Sequence, residues 1–303
     1  MNSLEAWLKR GVPPSTFMPP ETISTPATNV EPPAPEELDA LLRLLDDETP
    51  EVRSRVAQRL AQCGGDISEW LATRPKQPSS RERELLIEML HPPRREILAR
   101  EWIAPTGGAS ALQEDWESFE ALLRLLSDFL HDGITLRQPL SDALDLLAEE
   151  AAEAGVASPR ALVAYFFRDG RFSGNVQEPQ NSDLAWCIAE GRSNPLGLSL
   201  ILILVARRLD LEVEGVNFPG HFMCRIYQDG FPVIVDCYDG GKLHPQFTLL
   251  ESPDLTRVQR AILRESVGPG TMLARLLNNL RQSLEKAGRV ADARLIGELS
   301  ATL

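Results

Sequence analysis

The chain is poor in the residues that build metal centres and disulfide frameworks. Four cysteines (Cys63, Cys187, Cys224, Cys237) and four histidines (His91, His131, His221, His244) are scattered over 303 residues. They form no CxxC pair and no zinc-ligand spacing, so no metal and no other cofactor is expected, and a reduced, cytoplasmic setting is the default. Positive charge is also short, with 31 Lys and Arg against 44 Asp and Glu and a formal net charge of -13. That balance opposes the counterion release on which nucleic-acid binding depends, and it opposes attachment to anionic lipid. The longest apolar run, residues 196–206, is too short to cross a bilayer. Residues 1–10 carry Glu5, Lys9 and Arg10 but lead into no apolar stretch, so they do not read as a signal peptide.

What is present is ample core material, with 43% hydrophobic residues, enough for two modest domains or one large one. Residues 11–35, "GVPPSTFMPPETISTPATNVEPPAP", are dense in Pro, Thr and Ser and read as an extended, mobile leader. Leu38, Leu41, Leu42 and Leu45 then follow at i, i+3, i+4, i+7, and Val52, Val56 and Leu60 stripe a second helix after Pro50. This helical hairpin resembles a HEAT-type repeat, and "SSRERELLIEML" with "PPRREILAREW" reads as a second, degenerate pair. Two such units are few for a solenoid, so a small helical cap is expected. Beyond "GGAS" at 107–110, helical periodicity dominates, and Ser158 with Pro159 marks one helix start.

The pattern changes at "NPLGLSLILILVARRLDL", where Asn194 caps, Pro195 takes the first helical position, and apolar residues surround the helix through Val205. Strand-like segments follow, with Asp229-Gly230 as a two-residue hairpin turn. In that register Met223 faces Asp236 and His221 faces Tyr238. His221 then lies diagonal to Asp236 on one sheet face, with the Cβ atoms roughly 7 Å apart. Cys224 and Cys237 fall together on the opposite face, away from His221. A histidine near an aspartate is the pairing that orients a general base. The commoner reading of the same residues is a histidine bonded to nearby backbone and an aspartate closing a strand. A metal site at His221 and Asp236 lacks a third ligand.

The order of motifs, a buried helix, "GVNFPGHF", a hairpin and "VDCYDGG", resembles the transglutaminase-like superfamily, most closely its bacterial SirB-one family. "FSGNVQEPQNSDLAWCIAEGRSNPLGLSL" is similar to that family's entry into the core helix, and the likeness covers about residues 115–300. The resemblance implies a mainly helical α+β chain. Its core is transglutaminase- or papain-like, with one buried helix against a small antiparallel sheet. The expected organisation is the leader (1–35), a HEAT-like cap (36–106), a helical subdomain (107–190), the core (191–252) and a tetratricopeptide-like hairpin (253–303).

In catalytic relatives a cysteine at the start of the buried helix attacks an acyl group while a histidine and an aspartate activate it. The thiolate gains from the helix N-terminus and from the neighbouring imidazolium. By resemblance His221 and Asp236 match that histidine and aspartate, Ser193 falls where the family has glycine, and Pro195 falls at the nucleophile. The SirB-one family commonly has proline there. Ser193 and Cys187 are the substitute nucleophiles the sequence offers, although Ser193 also suits capping beside Asn194. Asn194, Pro195, Phe218, Phe222 and Tyr238 are the residues expected around a binding cleft. Two functions are implied: a non-enzymatic, protein-binding or regulatory member, or an acyl-transfer or amide-hydrolysing enzyme with an atypical nucleophile. Related modules occur in some F-box ubiquitin-ligase subunits, which favours a protein partner. The sequence names neither that partner nor an oligomeric state.

Overall fold

Prolines at the first helical position, where a missing N–H costs nothing, open two of the first helices. In the computed structural model, which describes residues 33–175 and 178–303, these are α1 (Pro35–Arg43) and α2 (Pro50–Ala61). The expected leader lies outside the described residues apart from its last three. Leu38, Leu41, Leu42 and Leu45 are buried against Val56 and Leu60, as their spacing predicts. A short α3 (Ser68–Ala72) leads to α4 (Ser80–Glu101), which a reciprocal Ser79/Glu82 capping box starts.

At α4 the expected second helical pair is corrected. Pro92 and Pro93 sit inside one continuous helix. Each proline removes a donor and crowds the preceding turn, a cost of about 3 kcal/mol in a helix interior. Leu85, Leu86, Met89, Leu90, Pro93 and Leu98 are buried along the helix. Burying such side chains is worth about 1.5–3 kcal/mol each, so tertiary packing on both sides of the prolines outweighs the local break.

A short 3-10 turn, Gly108–Leu112, precedes α5 (Trp116–Leu130), α6 (Leu140–Glu153) and α7 (Pro159–Phe167). Ser158 caps α7 by accepting from the Ala161 N–H at 3.2 Å. After α7 come β1 (Ser173–Gly174), α8 (Leu184–Glu190), β2 (Arg192–Ser193) and α9 (Pro195–Arg208). Every residue from Leu196 to Ala206 is buried. The reason is placement: α6, α7 and α8 and two strands of the sheet all pack against α9. Ser199, inside this apolar helix, donates its hydroxyl back to the Pro195 carbonyl at 2.8 Å, the local bond that makes a buried serine tolerable.

The sheet runs β3 (Glu214–Val216), β4 (Met223–Gln228), β5 (Phe231–Asp236) and β6 (Lys242–Pro245) in spatial order, all antiparallel. Asp229 and Gly230 both take positive φ, 52° and 80°, the turn chemistry that fixes the Gln228–Phe231 register. β6 was not expected from sequence. Two short helices, α10 (Gln246–Leu250) and α11 (Arg257–Ile262), follow. The chain closes with the helical hairpin α12 (Pro269–Lys286) and α13 (Val290–Ser300), joined through Gly288 at φ 74°. The described residues cluster as one compact unit, mainly helical α+β. Among the described residues no helix is long and apolar enough to cross a membrane.

Candidate functional site

The ladder stops short of the histidine. The last β4–β5 partners are Cys224 and Val235, and His221 lies on a turn made by "NFPGHF". Phe218 donates its N–H to Val216 O at 2.9 Å and His221 donates to Phe218 O at 3.2 Å, with Gly220 at φ 75°. The expected strand pairing of His221 with Tyr238 is therefore corrected, because Pro219 and Gly220 turn the chain before β4 begins. From this turn the ring still reaches the aspartate: His221 Nε2 lies 2.8 Å from Asp236 Oδ1.

Asp236 is a well-held carboxylate. Its Oδ1 also accepts from the Tyr238 N–H at 3.1 Å and the Asp239 N–H at 3.0 Å. Burial alone would push its pKa up. The bond from His221 and those from Asp239 and Tyr238 outweigh that and hold it below the usual carboxylate range. Ionised, it can only accept, so it selects the tautomer with hydrogen on Nε2. The other ring nitrogen carries no protein partner among the described residues, and the ring meets Tyr238 edge-on at 6.1 Å.

His221 borders an open cleft of about 840 Å³. Its walls come from five parts of the chain: Asn175 after β1, Asn194, Pro195 and Leu196 at the start of α9, the 217–222 turn, Tyr238 after β5, and one face of α12. Asn194 caps α9 through Oδ1, which accepts the Gly197 N–H at 2.9 Å. A Cβ on Gly197 would stand 2.1 Å from Ser193 Oγ, so glycine is what lets the helix start this close to β2. Gly174 plays the same part for Tyr238, whose ring lies over it and whose hydroxyl reaches Asn175 O at 3.5 Å.

The structure separates the two substitute nucleophiles from the histidine. Cys187 donates to Ser193 Oγ at 3.1 Å, Ser193 donates to Asn181 O at 3.1 Å, and both side chains are fully buried. Neither borders the cleft. Burial pushes the Cys187 thiol far up, away from the thiolate that would attack. Cys224 and Cys237 face each other at 3.8 Å on the far side of the sheet, as the register predicts.

Of the residues expected around a ligand, Asn194, Pro195, Phe222 and Tyr238 border the cleft. Phe218 does not: its ring packs on the satellite core of Val216, Met223, Ile234 and Leu263. Sequence reasoning missed Asn175, Asn217, Arg275, Asn278, Asn279 and Gln282, which also border it. The spacing of 275, 278, 279 and 282 was a helical stripe in plain view, but an amide stripe reads as ordinary solvated surface. Among the described residues no three His, Cys, Asp or Glu side chains group as metal ligands.

A buried helix meeting a histidine turn and an aspartate-ended strand is the arrangement that comparison with known proteins bears on directly. Residues 137–278 match the family model described as the transglutaminase-like superfamily. The match contains α9, the sheet, His221, Asp236 and α12 as far as Asn278. A UPF0162 protein of Xylella fastidiosa strain 9a5c is 35% identical over 121 residues, 39% of this chain and 41% of that protein. The UPF0162 protein of X. fastidiosa strain Temecula1 is 34% identical over 121 residues, again 39% and 41%. A UPF0162 protein of Pseudomonas aeruginosa is 33% identical over 131 residues, 40% of this chain and 47% of that one. The chain thus covers less than half the length of these relatives. No solved structure matches it.

Proposed function

We propose that this chain is a non-catalytic, protein-binding member of the transglutaminase-like fold, of the SirB-one type, whose cleft beside His221 recognises a segment of a partner protein. The observation that carries this reading is the residue at the start of α9. Acyl transfer through the protein needs a nucleophile within hydrogen-bond reach of the base. Pro195 has no such atom, and the substitute candidates, Ser193 and Cys187, are buried and bonded to each other. The HEAT-like and tetratricopeptide-like helical pairs belong to the same proposal as further contact surfaces.

The folded chain, treated with iodoacetamide and separately with a fluorophosphonate, tests the reading by intact mass and peptide mapping. Cys63, which is partly exposed, takes up iodoacetamide and serves as the internal control, while Cys187 and Ser193 stay unmodified. A stoichiometric adduct at Cys187 or Ser193 in the folded state would overturn the proposal.

One observation favours a second reading, amide or ester hydrolysis assisted by His221. The Asp236 carboxylate is fixed by the ring and by two backbone N–H groups, the preparation a general base needs. In that case the nucleophile comes from solvent, and turnover of a simple peptide amide disappears in His221→Ala.

A further inference from the structure

The cleft has a chemical character of its own. In a chain with net charge -13, no aspartate or glutamate borders it among the described residues, whereas Arg275 and His221 do. Six side-chain amides accompany them: Asn175, Asn194, Asn217, Asn278, Asn279 and Gln282. α12 is two-faced. Met272, Leu273, Leu276, Leu277, Leu280 and Leu284 are buried in the core, while Arg275, Asn278, Asn279 and Gln282 stand on the other face along the cleft wall.

Arg275 is held in place without being neutralised. Its Nη1 donates to Asn217 Oδ1 and to Phe218 O, the latter at 2.8 Å, and the guanidinium sits 5.5 Å from the centre of the Phe222 ring. No carboxylate pairs with it among the described residues. The Nε and Nη2 atoms make no protein hydrogen bond there, and together they form one edge of the planar fork. That edge matches the two oxygens of a carboxylate. A partly buried, oriented arginine with this edge free is a receptor for an anion.

Resting on the binding reading above, we infer that the cleft takes an extended peptide strand that presents a carboxylate to the Nε–Nη2 edge of Arg275. The amides of α12 hold the peptide main chain. An amide side chain carries both a donor and an acceptor, so it answers a peptide's alternating N–H and C=O groups, which a row of single-sign charges could not do. A stripe spanning 275 to 282 is about 10 Å long at the helical rise, the reach of three extended residues.

The test uses the full chain and fluorescence anisotropy with fluorescein-labelled, C-terminally amidated hexapeptide pools carrying a fixed central Glu, Gln or Lys. The Glu pool binds about tenfold or more tighter than the Gln pool, the usual worth of a charge-assisted bond, and the Lys pool binds weakest. Arg275→Gln removes the Glu preference. Because Arg275 also ties down the 217–218 turn, Asn278→Asp is the second variant: it gives up one main-chain contact for every pool and adds a negative charge at an exposed position, so it weakens the Glu pool by a larger factor than the Gln pool. Asn279→Ala weakens all pools by a few-fold.

Equal affinity for the three pools, unmoved by Asn278→Asp, would overturn the carboxylate assignment and leave the cleft as a binding site. Inorganic phosphate binding as tightly as the Glu pool would mark a small-anion site and overturn the peptide. No binding by any pool would also overturn the inference. Whether the site is catalytically silent is decided separately, by the adduct experiment on Cys187 and Ser193.

Discussion

Two histidine–aspartate pairs in this chain look alike by distance alone and are built for opposite purposes. His221 Nε2 is 2.8 Å from Asp236, and His91 Nε2 is 3.0 Å from Asp292. Around Asp292, however, Arg95 Nη2 approaches to 2.7 Å and Arg289 Nε to 2.7 Å, while Arg289 Nη2 lies 2.6 Å from the His91 ring. Asp292 is almost fully buried and bonds α4 to the start of α13, two segments nearly 200 residues apart. His91 Nδ1 is buried with no hydrogen-bond partner among the described residues. At the other pair the carboxylate is held by local backbone, the histidine is partly exposed, and its ring borders a cleft. Proximity of a histidine and an aspartate is thus no sign of chemistry. What distinguishes the two is whether the carboxylate is shared among cations or dedicated to one ring, and whether that ring has somewhere to act.

The comparison is broken most directly at Asp292. Asp292→Asn leaves three basic groups around a neutral amide in a buried site, and the expected cost is about 3 kcal/mol of unfolding free energy, read by urea denaturation. A loss under about 1 kcal/mol would mean that α4 and α13 are held by apolar packing alone. Asp236→Asn keeps an acceptor for the two backbone N–H groups and has a smaller expected cost, about 1 kcal/mol. His221→Ala, at a partly exposed ring, changes stability by less than about 1 kcal/mol. Were His221→Ala as costly as Asp292→Asn, the cleft pair would be a structural clamp after all.

Acid sharpens the same contrast. Burial works against ionisation of Asp292. The bonds from His91 and Arg289 and their charges overcome it and hold this carboxyl well below the ordinary range, and Asp236 is lowered in the same sense. A carboxylate depressed in the folded state binds its proton more readily when unfolded. Its stabilisation is complete above the unfolded pKa of about 4 and fades as pH falls towards the folded value. The stability gap between the unmodified chain and Asp292→Asn is accordingly largest above pH 4 and closes on acidification. The gap for Asp236→Asn follows the same direction with a smaller amplitude.

Much of the core was legible because its signals are local. The turn residues Asp229 and Gly230 set the hairpin register, which placed Cys224 against Cys237 and put both out of reach of His221. The apolar pattern of residues 196–206 announced a helix buried on most sides, and every residue of that span is buried. Local rules misled where a tertiary term was larger: Pro92 and Pro93 predicted a break that burial on both sides of them overrides. They also misplaced His221, since the Pro219-Gly220 turn replaced the extra rungs of ladder that alternation implied.

By itself, then, the sequence determined the buried helix, the hairpin, Pro195 at the first helical position, and the shortage of positive charge. Each of these is written in neighbouring residues through periodicity, turn chemistry or composition. Only the tertiary structure decided that Asn175, the start of α9, the histidine turn and the amide face of α12 meet around one cleft. It also decided that Cys187 and Ser193 are spent on each other, and that His91 serves a clamp while His221 faces open space. The physical reason is that which faces meet depends on the joint burial of segments about 100 residues apart. No local pattern in a polar stripe records what will lie across from it.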